Sequence, residues 1–307
     1  MSNRRMKPSH IHQSDFLLIV NPTAGKGRAR LRAGEAYRHL TAAGLSGEMV
    51  FTRRRGDGAR LAAEGLAQGV PRIIACGGDG TIHEVVNVLA YSEAILGILP
   101  GGKGNDLARA LGIPHHPIAA AGVILSGTVR TIDLGRLNDR YFSTIAALGF
   151  DAEVSRQVNE MQMPFAGVGT YLYAALKTLW HYQCPHIRLT GDFGRFEGDI
   201  FLTATGNSSS YGGGLQILPP ASLDDGVLDV CIIKAVPRRT ILRMFPTVFW
   251  GGHTAHPAVT ITQTRHLSVE SPTPLWFFAD GEPICSTPAS IEVAAGALRV
   301  FATSRRG

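Results

Sequence analysis

Arg72-Ile73-Ile74-Ala75-Cys76, then Gly77-Gly78-Asp79-Gly80-Thr81, then Ile82-His83-Glu84-Val85-Val86-Asn87-Val88-Leu89: this stretch decides the fold. The apolar run Arg72–Cys76 reads as a strand buried on both faces. The glycine cluster reads as a tight turn. Ile82, Val85, Val86 and Leu89 then fall at i, i+3, i+4 and i+7, so the spacing predicts a helix over Thr81–Tyr91. Thr81 and Glu84 form the T-x-x-E pattern of a capping box at its start. A strand that runs through a glycine turn into a helix is one unit of a parallel α/β sheet.

The same rhythm extends on both sides. Phe16–Val20, Met49–Thr52 and Ile95–Leu99 read as strands, and Arg28–Leu45, Asp57–Gln68 and Asn105–Leu111 as helices. Beyond about residue 140 the pattern changes to short β-like runs with Gly and Pro between them. These are Tyr141–Ala147, Ile187–Thr190, Phe196–Thr205, Val227–Ile233, Ala258–Thr262, His266–Glu270, Leu275–Ala279 and Ser290–Val293. Two helical stretches interrupt them, Ala152–Met161 and Thr170–Tyr182, the second with Leu172, Ala175, Leu176 and Leu179 on one face. The reading is an α/β first domain and a β-rich, sandwich-like, mostly antiparallel second domain. The expected division is 14–134, with the tail from about 295 to 307, and 135–294, the junction lying near Thr131–Leu137.

The whole chain is consistent with this. Its 307 residues suit two domains, and 45% hydrophobic against 18% charged residues excludes a disordered chain. The apolar stretch Ile118–Leu125 is too short to cross a membrane, and Met1–Asp15 has no apolar core of a secretory signal. Cys76, Cys184, Cys231 and Cys285 form no C-x-x-C pair, which fits a reduced, cytoplasmic protein. A net charge of +6 favours anionic partners, phosphates and acidic lipid surfaces among them. No nucleic-acid reader motif accompanies the charge, so no nucleic-acid partner is expected.

Three glycine-rich loops each follow a predicted parallel strand. They are Asn21-Pro22-Thr23-Ala24-Gly25-Lys26-Gly27, Gly77-Gly78-Asp79-Gly80-Thr81, and Pro100-Gly101-Gly102-Lys103-Gly104-Asn105-Asp106. All three emerge at the carboxyl edge of the sheet, where α/β proteins bind ligands. Glycine lets backbone approach a ligand, and N–H groups at helix starts attract anions. Three such loops point to a nucleotide polyphosphate. Singly each has a plain reading: a structural turn, Asp79 as a helix cap, Lys26 as a solvated lysine. Walker A fails, because Gly27 follows Gly25-Lys26, and G-x-G-x-x-G fails at Arg30 and Leu107. Asp192-Phe193-Gly194 lacks the partner motifs of a protein kinase and reads as a hairpin turn. Neither G-x-S-x-G nor H-E-x-x-H occurs.

The three loops resemble those of the diacylglycerol kinase catalytic-domain family, which includes bacterial lipid kinases, sphingosine kinases and ceramide kinases. The resemblance continues through Asp133-Leu134-Gly135, Gly206-Asn207, Tyr211-Gly212-Gly213-Gly214, Asp224-Asp225-Gly226, Leu228-Asp229-Val230 and Asp280-Gly281-Glu282, in the same order as in the family. It implies a phosphofructokinase-like, Rossmann-like nucleotide-binding domain, a β-sandwich substrate domain, and a tail near Leu298–Thr303 returning to the first domain. It implies ATP- and Mg²⁺-dependent phosphorylation of a hydroxyl on a lipid such as diacylglycerol. Nucleotide contacts are then expected from Asn21, Pro22, Gly25, Lys26, Gly27, Gly77, Gly78, Gly80, Thr81, Gly102, Lys103, Asn105 and Asp106. Asp79, Glu282 and its neighbour Asp280 are the expected catalytic residues, with the base role open between Asp79 and Glu282. Asp225, then Asp224, with Asp133, are expected at a Mg²⁺ site, although Asp224-Asp225-Gly226 and Asp280-Gly281-Glu282 also read as plain turns. Lys103 departs from the family, which has threonine there.

An amphiphilic acceptor and no membrane span imply a protein peripheral to the membrane surface. Arg53-Arg54-Arg55 and the apolar Leu242–Trp250 segment are the candidate bilayer contacts; a solvated loop and a core segment are their plain readings. A homodimer is compatible with all of this. The alternatives are a kinase with the same glycine turn acting on a soluble substrate, as NAD kinases do, and a non-catalytic lipid- or nucleotide-binding relative.

Overall fold

The computed structural model describes residues 14–160 and 168–303, without the side chains of 158–172. Met161, the first 13 residues and the last four thus lie outside what is described, as does the side chain of Leu172. The first domain alternates as read: β1 (Phe16–Val20), α1 (Arg28–Ala42), β2 (Gly47–Phe51), α2 (Asp57–Ala67), β3 (Arg72–Gly77), α3 (Asp79–Leu89), β4 (Ile95–Pro100), α4 (Asp106–Ala110) and α5 (Pro117–Ser126). Strands β4, β3, β1 and β2 lie side by side in that order, all parallel. The runs of β1, β3 and β4 are buried almost throughout because helices cover both faces, whereas the edge strand β2 is half-buried or exposed.

Then come β5 (Val129–Leu137), β6 (Arg140–Phe142), β7 (Ile145–Gly149), α6 (Phe150–Glu160), α7 (Val168–His181), β8 (His186–Gly191), β9 (Gly194–Gly206) and β10 (Leu228–Lys234). Helix α8 (Arg238–Met244) runs into 3₁₀ turns at Phe245–Trp250 and Gly252–Ala255. The last strands are β11 (Val259–Thr264), β12 (His266–Glu270), β13 (Trp276–Ala279), β14 (Glu282–Ser286) and β15 (Ala289–Phe301). Every pairing within this half is antiparallel. Strand β10 shows why the half is layered. Leu228, Val230 and Ile232 enter one apolar cluster with β12, β13 and β15, while Cys231 and Ile233 enter another beneath α6, α7 and α8. Asp192 and Phe193 form the expected hairpin turn between β8 and β9.

Several expectations change. Helix α3 begins at Asp79, not Thr81, and no capping box forms. The Glu84 carboxylate instead accepts the N–H groups of Gly56 (2.7 Å) and Gly58 (2.8 Å), so it caps α2 from a neighbouring helix. The Ile118–Leu125 run is helix α5, packed against α1 and β4 with Ile118 left exposed, so its apolar residues reach its outer side too and it carries no amphipathic period. The junction expected near Thr131–Leu137 falls inside β5. The run expected at Ser290–Val293 is part of a 13-residue strand, β15. Strand β15 pairs with β12, runs antiparallel to β5, and reaches β4 in parallel at Val300↔Leu96. Leu298, Val300 and Phe301 are buried in the first-domain core, so the chain does return there.

Candidate active site

The loops after β1, β3 and β4 meet at the carboxyl edge of the parallel sheet, close enough that glycine is required. Gly101 donates its N–H to the Gly77 carbonyl (2.8 Å), and Asn21 donates its N–H to Cys76 (2.9 Å). A Cβ on Gly25, whose φ is +60°, would stand 2.4 Å from the Gly101 carbonyl oxygen. A Cβ on Gly102 would stand 2.4 Å from Gly78 Cα. Three side chains set the shape of these loops. Asn21 accepts the N–H and hydroxyl of Thr23 (3.1 and 2.8 Å) and donates Nδ2–H to the Thr81 hydroxyl (3.2 Å). Asn105, fully buried at φ +50°, bonds both the N–H and the carbonyl of Gly102 at 2.9 Å. Asp79 accepts the N–H groups of Asn105 (2.9 Å) and Asp106 (2.8 Å), so it caps α4 rather than its own helix.

A cleft of about 440 Å³ opens over this platform. Asn21, Gly78, Gly80, Thr81 and Gly102 line it, as do Thr23, Ala24 and Thr52. Gly25, Gly77, Asn105 and Asp106 shape it from behind, whereas Pro22, Lys26, Gly27 and Lys103 do not line it. Arg53, Arg54 and Arg55, offered to a bilayer by composition, line the cleft instead, together with Glu84 and Glu282. They sit at the carboxyl end of β2. That position was the available signal, since every parallel strand delivers its next loop to this edge.

The second domain closes one side. Asp280 and Gly281, at φ 50° and 82°, turn the chain from β13 into β14. The Asp280 carboxylate is wholly engaged. It accepts the Ser143 N–H (2.8 Å), the Thr144 N–H (2.9 Å) and both their hydroxyls, and His83 Nδ1 lies 3.2 Å away. Burial would raise its pKa, but the bonds from His83, Thr144 and Ser143 hold it below the ordinary carboxylate value. Asp280 is therefore a positioning residue: it fixes the turn that presents Glu282. Glu282 faces the cleft, and a Cβ on Gly80 would stand 2.6 Å from its Oε1. Its Oε2 pairs with Arg55. Desolvation, and then the nearby Asp106 charge, push Asp79 up to about 6. Asp106 in turn accepts the N–H groups of Gly212 (2.8 Å) and Gly213 (3.0 Å), tying a second-domain loop to the platform.

The carboxylates expected at a metal site each contact the protein. Asp133 accepts the N–H groups of Gly226 and Gly296, both at 2.7 Å. Asp224 bonds Arg130 (2.9 Å) and Ser222 (3.1 Å), and Asp225 accepts the Val227 N–H (3.3 Å). Among the described residues no group of three or more His, Cys, Asp or Glu could hold a metal ion.

What the arrangement can do is hold a polyphosphate against backbone N–H groups and three guanidinium groups, with a carboxylate facing it. Known proteins agree in kind. The diacylglycerol kinase catalytic domain matches residues 15–137, and the YegS C-terminal NAD kinase beta sandwich-like domain matches residues 144–302. A diacylglycerol kinase of Mycobacterium tuberculosis is 37% identical over 291 residues, 92% of this chain and 93% of that protein. One from Staphylococcus saprophyticus is 32% identical over 86% of this chain and 88% of its own length. The crystal structure of a diacylglycerol kinase from Bacillus anthracis superposes with a TM-score of 0.77 at 28% identity, covering 95% of this chain and 97% of that one. The chain belongs to the diacylglycerol kinase family of lipid kinases.

Proposed function

We propose that the protein transfers the γ-phosphoryl group of ATP to a hydroxyl of a diacylglycerol-class lipid. The observation that carries this reading is the single cleft that gathers the loop backbone, Arg53–Arg55 and Glu282. Phosphoryl transfer asks for positioning and charge stabilisation, and these are what such a cleft supplies. The acceptor hydroxyl oxygen forms the new bond to the γ-phosphorus as the bond to the β–γ bridging oxygen breaks. The hydroxyl proton passes to Glu282, and ADP leaves. Glu282 suits the base role better than Asp79, whose oxygens are already engaged by two backbone N–H groups. Asp79, at the head of α3, would help to hold a magnesium ion, which would supply neutralisation of phosphate charge.

The acceptor would be met at a bilayer surface. No helix among the described residues is long and apolar enough to cross a membrane. Helices α7 and α8 and the 3₁₀ turn after α8 cover one apolar cluster and leave Tyr173, Leu176, Trp180, Leu242, Phe249 and Trp250 exposed outside it. Within Leu242–Trp250, Met244 and Val248 are core, while Leu242, Phe249 and Trp250 are exposed. The exposed side chains support docking on lipid, beside Arg238, Arg239 and Arg243.

The test is ATP- and Mg²⁺-dependent phosphorylation of diacylglycerol, ceramide, a sphingoid base and phosphatidylglycerol in mixed micelles. A phosphorylated diacylglycerol that disappears in Glu282→Gln is the expected result. Nucleotide binding with no lipid product would move the acceptor to a soluble molecule.

A further inference from the structure

Glu282 is not a free base as it stands, because Arg55 holds it. The pair joins the two domains across the cleft: Arg55 follows β2, and Glu282 opens β14. The backbone around Arg55 is clamped on both sides. Asp57 accepts the N–H groups of Arg53 (2.8 Å) and Arg54 (3.1 Å), and Glu84 accepts those of Gly56 and Gly58. The loop is fixed, and what remains free to move is the long Arg55 side chain, which is 70% exposed. Arg54, in contrast, leans back on Asp57 at 3.8 Å.

Resting on the reading above, we propose that Arg55 is a two-position cation. Without nucleotide it pairs with Glu282; when a polyphosphate enters the cleft, the guanidinium passes to the phosphates and releases the carboxylate. An ion pair this exposed is weak enough to exchange. A polyphosphate carries several negative charges and takes a guanidinium in bidentate fashion, so it is the stronger partner. Glu282 also reaches over Gly80 in the first turn of α3, where backbone N–H groups attract an anion, so it competes with phosphate for the same two attractions. The consequence is order: the base becomes available after the donor is in place, and an acceptor hydroxyl that arrives first meets a neutralised carboxylate. Arg55 thereby positions both the nucleotide and, through its departure, the base.

A mutant cycle on nucleotide affinity tests this without any lipid. Binding of the non-hydrolysable β,γ-imido analogue of ATP is measured for the wild type, Arg55→Ala, Glu282→Gln and the double variant. Circular dichroism checks that each is folded. Arg55→Ala is expected to weaken binding about tenfold, the worth of one charge-assisted contact. Glu282→Gln is expected to tighten it about threefold or more, because the cation is released. In the Arg55→Ala background the same change is expected to tighten binding clearly less, because only the competition at the start of α3 is left. An equal tightening in both backgrounds, or a weakening by Glu282→Gln, overturns the proposal, since removal of a charge would then explain everything. A second readout uses the carboxylate itself: without nucleotide, carbodiimide should label Glu282 faster in Arg55→Ala than in the wild type, and equal rates overturn it too. Failure of the wild type to bind the analogue at all would instead sink the kinase reading, and this inference with it.

Discussion

At the scale of the residue, the site separates carboxylates that hold from one that is presented. Asp79, Glu84, Asp106, Asp133 and Asp280 each accept backbone N–H groups; of the two carboxylates that line the cleft, Glu84 and Glu282, it is Glu282 that meets a side chain, Arg55. Glu282→Gln should therefore lower kcat by about 10²–10⁴-fold, the usual worth of a general base. Steady-state kinetics on diacylglycerol would show this, and an unchanged kcat would return the base role to Asp79. Asp79→Asn keeps one acceptor oxygen for two donors. It leaves a backbone N–H of Asn105 or Asp106 unpaired, which costs about 1–3 kcal/mol. Urea denaturation should register the loss, and the loop after β4 should exchange its amide hydrogens faster. Lys103 is exposed and does not line the cleft, so Lys103→Thr should leave nucleotide affinity within about twofold, as a surface change away from a site does. A larger shift in calorimetric titration would bring the lysine back into the site.

At the scale of the element, the loops depend on contacts between backbones. Gly25→Ala would force the loop after β1 away from Gly101 and would also place alanine at φ +60°. The expected loss is about 1–3 kcal/mol of stability together with nucleotide affinity. An alanine variant that binds normally would mean that the loops part easily. The parallel half was largely legible because its signals are local: each strand is a short apolar run, and glycine marks each turn. Glu84 shows where local reading stops. Its spacing from Thr81 fits a capping box, yet its carboxylate bonds a different helix, and no sequence interval encodes that meeting. Arg53–Arg55 show the same limit. A run of arginines looks alike at a bilayer and at a phosphate cleft, and only the parallel pairing of β2 decides between them. Strand β14 was hidden because a hairpin turn and an active-site turn use the same residues, Asp280 and Gly281.

At the scale of the whole molecule, titration and topology set the limits. Desolvation pushes both Asp79 and the fully buried Asp229 up to about 6. Between about pH 4 and 6 the folded chain thus keeps protons that the unfolded chain has released, so these two groups make stability fall as pH rises through that interval. Asp280 acts oppositely, since its contribution is present above the ordinary carboxylate value and is lost as pH falls below it. Asp229 Oδ2 has no hydrogen-bond partner among the described residues. Asp229→Asn should accordingly raise stability at pH 8 by about 1 kcal/mol and flatten the curve between pH 4 and 6. Thermal denaturation across that range checks it, and an unchanged slope would put the pH dependence elsewhere. Strand β15 carries a further consequence, one of timing. The strand that completes the first-domain sheet beside β4 lies at residues 289–301, so a ribosome must translate the second domain before the first can close. Until then β4 waits with an open edge, which is the kind of surface chaperones shield. A nascent chain stalled before residue 289 should therefore be more susceptible to protease within its first 137 residues than the released protein, although every loop of the phosphate platform has already been made.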